Sequence, residues 1–219
     1  MSNNWERREP TRVMPTPRLV TVPMQTLTPD AIAFFECVYE LPPIVAEGWI
    51  RECPTVGRYA VQIRGPSRQE RGWVLRQPWK YSPMAEHPLA QSGLKADTFK
   101  YLPAQPLLSH YGLAHEGPLV VVEDQLSAIK LGAYGYGSVA CLGKPDVEGS
   151  RYSGSDRVRE IARRAGDRDV LIALDADATD VAFRFVKKWR FAFRSIRVVM
   201  LTRDLKDTPA SEFSSVLGA

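Results

Sequence analysis

Two patterns of apolar positions divide the chain. From Pro118 onward, short uninterrupted apolar runs recur and predict strands over residues 119–123, 138–142, 169–175 and 196–201. Between them the apolar residues fall at helical spacing, which predicts helices over 124–131, 155–165 and 179–190, with Ser155 as the N-cap of the second. Strands without a polar face, alternating with helices, predict a parallel sheet covered on both sides.

The first half reads differently. Thr28-Pro29-Asp30 opens a helix, with Thr28 as N-cap and Pro29 at the first helical position. Ile32, Phe35, Val38 and Tyr39 continue at helical spacing until Pro42-Pro43, and a second short helix is expected over 44–51. Residues 58–64 and 73–76 flank a turn-rich basic loop and predict a β-hairpin. Residues 1–26 read as an extended arm, and 77–117 as irregular. Of 17 prolines, 15 lie in residues 1–118, which restricts that half to short elements joined by turns. The expected organisation is an arm (1–26), a smaller α+β subdomain (27–117) and an α/β domain (118–219).

Composition narrows the function. Lys and Arg number 29 against 25 Asp and Glu, a net of +4, which excludes a polybasic architectural protein but leaves room for a local basic groove. Cys37, Cys53 and Cys141 form no C-x-x-C pair, so neither a zinc ribbon nor a disulfide framework is expected, and a cytoplasmic setting fits. No apolar run reaches a membrane-spanning length, the N-terminus lacks a signal-peptide core, and no P-loop is present.

The chemistry lies at strand ends. Glu123 closes the first strand of the second half, Asp175 closes the third with Asp177 two residues on, and Asp207 follows the last. In parallel sheets ligands bind beyond the carboxyl ends of strands, so these acids are expected on one rim. In an extended segment Asp175 and Asp177 would point the same way. Two carboxylates ~4 Å apart repel by roughly 4 kcal/mol at an effective dielectric near 20. A raised pKa, a basic neighbour or a divalent cation must offset that. Oxygen-only ligands on an open rim suit Mg²⁺, and such sites serve phosphoryl or nucleotidyl transfer. For single acids such as Asp124 and Asp180, helix capping is the simpler reading.

These residues resemble a known family. Val121-Val-Glu-Asp-Gln-Leu-Ser-Ala-Ile-Lys-Leu-Gly132, Val139-Ala-Cys-Leu-Gly143 and Leu171-Ile-Ala-Leu-Asp-Ala-Asp-Ala178 look like the Toprim domain of primases, topoisomerases and some nucleases. Lys206-Asp207 before Pro209 is similar to the tail of phage primase Toprim modules. Residues 59–66 and 71–76 resemble the subdomain that precedes it in phage- and plasmid-type primases. The resemblance implies a primase catalytic core, phage- or plasmid-encoded, joining ribonucleoside triphosphates on a single-stranded DNA template. It implies Glu123 as general acid/base or metal-linked carboxylate, Asp175 and Asp177 as ligands of Mg²⁺ or Mn²⁺, and Asp207 as an assistant. Arg58, Arg76, Lys80, Lys95 and Lys100 would face the site and hold triphosphate or template, and Lys144 is either a further phosphate ligand or simply exposed. These 219 residues include no zinc module or helicase, so a replicative helicase or zinc-binding partner in trans is implied.

Two other readings keep the same residues. One is a Toprim nuclease that hydrolyses a phosphodiester. The other is a non-catalytic module that docks on a replication or host protein. Trp73, Trp79 and Tyr81 lie among Arg71, Arg76 and Lys80, which suits either base stacking or packing. The arginines of residues 157–168 suit a solvated helix face or a nucleic-acid track. Lys187, Lys188 and Arg190 suit a helix C-terminus. His87, His110 and His115 show no metal spacing, and the three Cys read as packed apolar side chains.

Overall fold

The structure is a computed structural model that describes residues 23–65, 70–76, 78–88, 108–112, 116–143 and 154–218. Helix α1 (Pro29–Tyr39) starts as expected, with the Thr28 hydroxyl accepting from the Ala31 N–H. It ends at Glu40, which adopts φ 52° and turns the chain toward α2 (Pro43–Trp49). The second helix is shorter than expected. Ile50 leaves it to begin β1 (Ile50–Cys53), which pairs antiparallel with β2 (Arg58–Arg64), and β2 pairs in turn with β3 (Glu70–Arg76). Cross-strand pairing of Ile50 with Val61 buries both side chains, which outweighs one more helical turn.

The larger sheet has the order β4-β6-β5-β7-β8. Its parallel members are β5 (Leu119–Val122), β6 (Gly137–Ala140), β7 (Val170–Ile172) and β8 (Ile196–Val198). The edge strand β4 (Ser109–Tyr111) comes from the stretch expected to be irregular and runs antiparallel to β6. Helices α3 (Gln125–Ala133), α4 (Gly154–Ala165) and α5 (Thr179–Trp189) alternate with the strands, and α6 (Phe213–Leu217) closes the chain.

Strand alternation divides the core. Val120, Val122, Ala140 and Leu171 face α3, α1 and the Tyr59–Val61 side of the small sheet. Leu119, Val121, Val139, Val170 and Ile172 face Val158 and Ile161 of α4 and Ala182 and Phe185 of α5. Both faces of the parallel sheet are therefore covered, which explains its uninterrupted apolar strands. No described helix is long and apolar enough to cross a membrane.

The two sheets are joined by polar contacts. The Tyr111 hydroxyl donates to the Gln62 carbonyl at 3.1 Å, and the Gln125 amide donates to the Val61 carbonyl at 3.3 Å. Gly112 makes the turn after β4 possible. Its φ is +57°, and an added Cβ would meet the Tyr136 carbonyl oxygen at 2.4 Å. Gly112→Ala is expected to cost about 2 kcal/mol or more, from positive φ plus overlap with backbone. A thermal melt checks this: Tm should fall by roughly 4–8 °C.

The features given a packing alternative divide. Trp79 packs in an aromatic cluster with Phe35, Tyr39 and Tyr59. Trp73 donates to Glu70 at 2.8 Å and lies under the Arg51 guanidinium. Tyr81 is 77% exposed, with the Lys80 ammonium 4.7 Å from its ring centre. Arg163, which is exposed, and Arg164, which is largely covered, both pair with Glu160 on α4, whereas Arg157 is buried. Lys187 and Lys188 occupy the last turn of α5. Cys53 and Cys141 are packed, but Cys37 is exposed. Asp180 does not cap α5, whose start has no side-chain cap. His115 and the Ser155 side chain lie outside what is described.

Candidate active site

The sheet order places the site. After β5 the chain crosses to β6 on one side, and then to β7 on the other. The strand connections therefore diverge between β5 and β7, and a crevice opens beyond their carboxyl ends. Glu123 and Asp124 follow β5, and Asp175 follows β7. A cleft of about 200 Å³ lies there, lined by Glu123, Asp124 and Asp175. Leu142 and Gly143, after β6, border it, and Val74 and Arg76 of β3 reach it from the small sheet.

Asp124 serves two purposes. One oxygen accepts from the Leu126 and Ser127 N–H groups at 2.8 and 3.2 Å, which caps α3 as the sequence suggested. The other accepts from the Ser127 hydroxyl at 2.5 Å. That hydroxyl also receives the Lys206 N–H at 3.2 Å, which ties the turn after β8 to the rim. The turn carries Asp204 and Lys206. Their side chains form an ion pair, and the Lys206 ammonium lies 3.4 Å from Asp207.

Asp175 is the electrostatic focus. Burial pushes its carboxyl up from 3.8 to about 7, and the charges of Asp124, Asp204 and Glu123 push in the same direction, while Lys206 opposes them. Lys206 shows the converse. Burial acts to lower it, but Asp124, Asp204 and Asp207 raise it to about 12. The rim is thus an acidic cluster with one ammonium held against it. Among the described residues, no three His, Cys, Asp or Glu side chains form a ready-made metal cage. The donor set still fits Mg²⁺ or Mn²⁺. It is all carboxylate oxygen, open to water on one side, and its mutual repulsion is relieved by a divalent cation.

This shift fixes a pH dependence. Asp175 binds its proton more tightly in the folded chain than in the unfolded one, so its contribution to stability is full below pH 4 and is lost as pH rises through about 7. The loss is at most about 4 kcal/mol, less where water and salt screen the open cleft. Metal-free protein should lose stability between about pH 4 and pH 7. Denaturation of wild type and Asp175→Asn across that range checks this, because the variant should lack the Asp175 component.

The expected residues are redistributed. Glu123, Asp175 and Arg76 meet at the cleft. Asp177 lies in the 3-10 turn Ala176–Ala178 rather than in an extended segment, is exposed, and is not among the residues that line the cleft. Asp207 is exposed as well, and Asp204, three residues earlier, bears on Asp175 instead. Arg58 cannot face the site. It is fully buried, on the face of β2 that also carries Ala60, whereas Arg76 pairs opposite Tyr59 on the other face. Lys80 is exposed beyond β3 and does not line the cleft. Lys95, Lys100 and Lys144 lie outside the described residues.

Asp124, Asp204 and Lys206 are the rim members that sequence reasoning did not assign to the site. The signal for two of them was the acid–base cluster Arg203-Asp-Leu-Lys-Asp207, in which spacing alone does not say which acid turns inward. No protein-family model, curated protein or solved structure matches the chain.

Proposed function

We propose that the protein is a divalent-metal-dependent nucleotidyltransferase, a primase-type catalytic core that makes RNA primers on single-stranded DNA. The observation that carries this reading is the carboxyl of Asp175, which burial first and the charges of Asp124, Asp204 and Glu123 next push up to about 7, in a cleft that Glu123, Asp124 and Arg76 also line. Repulsion among acids is costly in a fold that needs no cation there. The motif resemblance supplies the reaction class.

Asp175 and Asp204 would hold the cation. When bound, Mg²⁺ or Mn²⁺ supplies positive charge at the α-phosphate and at the attacking and leaving oxygens. Arg76 lines the cleft from β3 and binds triphosphate oxygens. Glu123 takes the proton from the 3′-hydroxyl of the first ribonucleotide as that oxygen attacks the α-phosphate of the second. The Pα–O bond to pyrophosphate breaks as the new phosphodiester bond forms. Tyr81 provides an exposed ring and Lys80 a cation for the template strand outside the cleft.

The test is an assay on mixed-sequence single-stranded DNA with labelled ribonucleoside triphosphates and Mg²⁺ or Mn²⁺. New oligoribonucleotides are expected. Shortened DNA without them would make the protein a nuclease. Neither product, with a helicase or zinc-binding partner supplied, would leave a binding module.

A further inference from the structure

Lys206 is built into the rim. Its N–H is fixed on the Ser127 hydroxyl at 3.2 Å, and its carbonyl accepts from the buried Lys130 ammonium at 3.2 Å. Two anchors on the main chain therefore set where its side chain begins. The side chain is only 15% exposed, and its ammonium is paired with Asp204 and lies 3.4 Å from Asp207. Asp204 is also one of the acids acting on Asp175, so the ammonium sits within the same cluster that crowds that carboxylate. A surface lysine seeking a partner would have Asp207, which is half in solvent. Lys206 pairs with both acids, and the closer contact is to the less exposed Asp204.

We propose that Lys206 is a tethered counter-ion of the carboxylate rim, which competes with the divalent cation for Asp204 and so sets the cation concentration at which the site fills. This rests on the reading of the rim as a divalent-cation site. The ammonium neutralises part of the cluster when no metal is bound, and it must leave Asp204 when the metal arrives. The released ammonium is then free to meet the charge of an incoming triphosphate, so filling of the site and readiness for substrate are coupled. A lysine suits this task better than an arginine. It is a compact point charge on a flexible stem, and it makes no bidentate grip that would hold the carboxylate permanently.

The experiment is a calorimetric titration of the full chain with MnCl₂ at pH 7.5, for wild type, Lys206→Met and Lys206→Arg. Removing one positive charge a few ångströms from the ion should tighten Mn²⁺ about tenfold or more in Lys206→Met. Lys206→Arg, which keeps the charge and grips the carboxylate at two points, should bind no more tightly than wild type. Unchanged or weaker binding in a folded Lys206→Met, with wild type binding normally, would overturn the counter-ion role and leave the rim intact as a metal site. Absence of binding in both proteins would overturn both. A second readout needs no variant: the ¹⁵Nζ resonance of Lys206 in wild-type protein should shift as Mg²⁺ breaks its pair with Asp204. An ammonium signal indifferent to saturating Mg²⁺, while Mg²⁺ binds, would also overturn the role.

Discussion

Asp175→Asn should remove primer synthesis while making the metal-free protein more stable at pH 8. The two effects have one cause. Asn is nearly isosteric with Asp, so the cleft keeps its shape, but it carries no charge. The cost of a buried charge disappears together with the repulsion from Asp124, Asp204 and Glu123, and the stability lost when Asp175 ionises through about pH 7 is recovered. The same change removes the carboxylate that would hold the cation, and the expected rate loss is on the order of 10²–10³-fold or more, the scale of losing one charge-stabilising group in the transition state. A variant that is inactive because it unfolds would melt lower, not higher, so paired melts and assays separate the explanations. The neighbouring acids rank by position. Asp204→Asn should impair synthesis strongly, whereas Asp177→Asn and Asp207→Asn, both at exposed positions, should impair it less. Equal loss at Asp177 would mean that the acid two residues beyond Asp175 acts despite its turn.

The largest stability effect is expected at Lys130. Its side chain is 2% exposed, and its ammonium donates to the Thr208 carbonyl at 2.7 Å and the Lys206 carbonyl at 3.2 Å. It also lies 3.3 Å from Glu40, which follows α1 and accepts from the Ala210 N–H at 2.7 Å. Burial lowers the Lys130 pKa, and the Glu40 charge works against that shift. One ammonium therefore joins α1, α3 and the turn after β8. Lys130→Met keeps most of the packing but leaves two carbonyls without their donor, each a cost of about 1–3 kcal/mol. A total of about 2–4 kcal/mol is expected, on the order of 10 °C in Tm for a chain of this size. Because the same contacts hold the turn that carries Asp204 and Lys206, the folded fraction should also bind Mn²⁺ more weakly. A Tm within 2 °C of wild type would show that water replaces the ammonium at little cost.

The sequence exposes some parts of this molecule more readily than others. The strands after Pro118 are legible because both sheet faces are covered, which leaves Leu119–Val122 and Val170–Ile172 without polar positions. Thr28 and Asp124 are legible as caps because capping is local chemistry. Strand β4 is not, since three residues in a proline-rich stretch owe their conformation to β6, which lies after α3. Strand β1 is hidden for the same reason, because its pairing with β2 overrides the helical signal before it. At the site, Glu123 and Asp175 are legible because a strand that ends in an acid has only one place to put it. Asp177 misleads because alternation holds only while the backbone stays extended, and here it turns. Arg58 and Arg76 look equivalent on paper, but the register of the hairpin sends them to opposite faces. Asp204 and Lys206 depend on Ser127 and Lys130, more than seventy residues earlier, and no local pattern encodes that contact.

Asp175 and Asp204, beyond the carboxyl ends of β7 and β8, are expected to share one divalent cation. Titration of metal-free protein with MnCl₂ at pH 8, followed by the paramagnetic relaxation of water protons, reads this directly. Wild type should take up the ion at a site that Mg²⁺ competes for and that Asp175→Asn abolishes. Uptake that is absent in wild type, or that persists undiminished in Asp175→Asn, would contradict it.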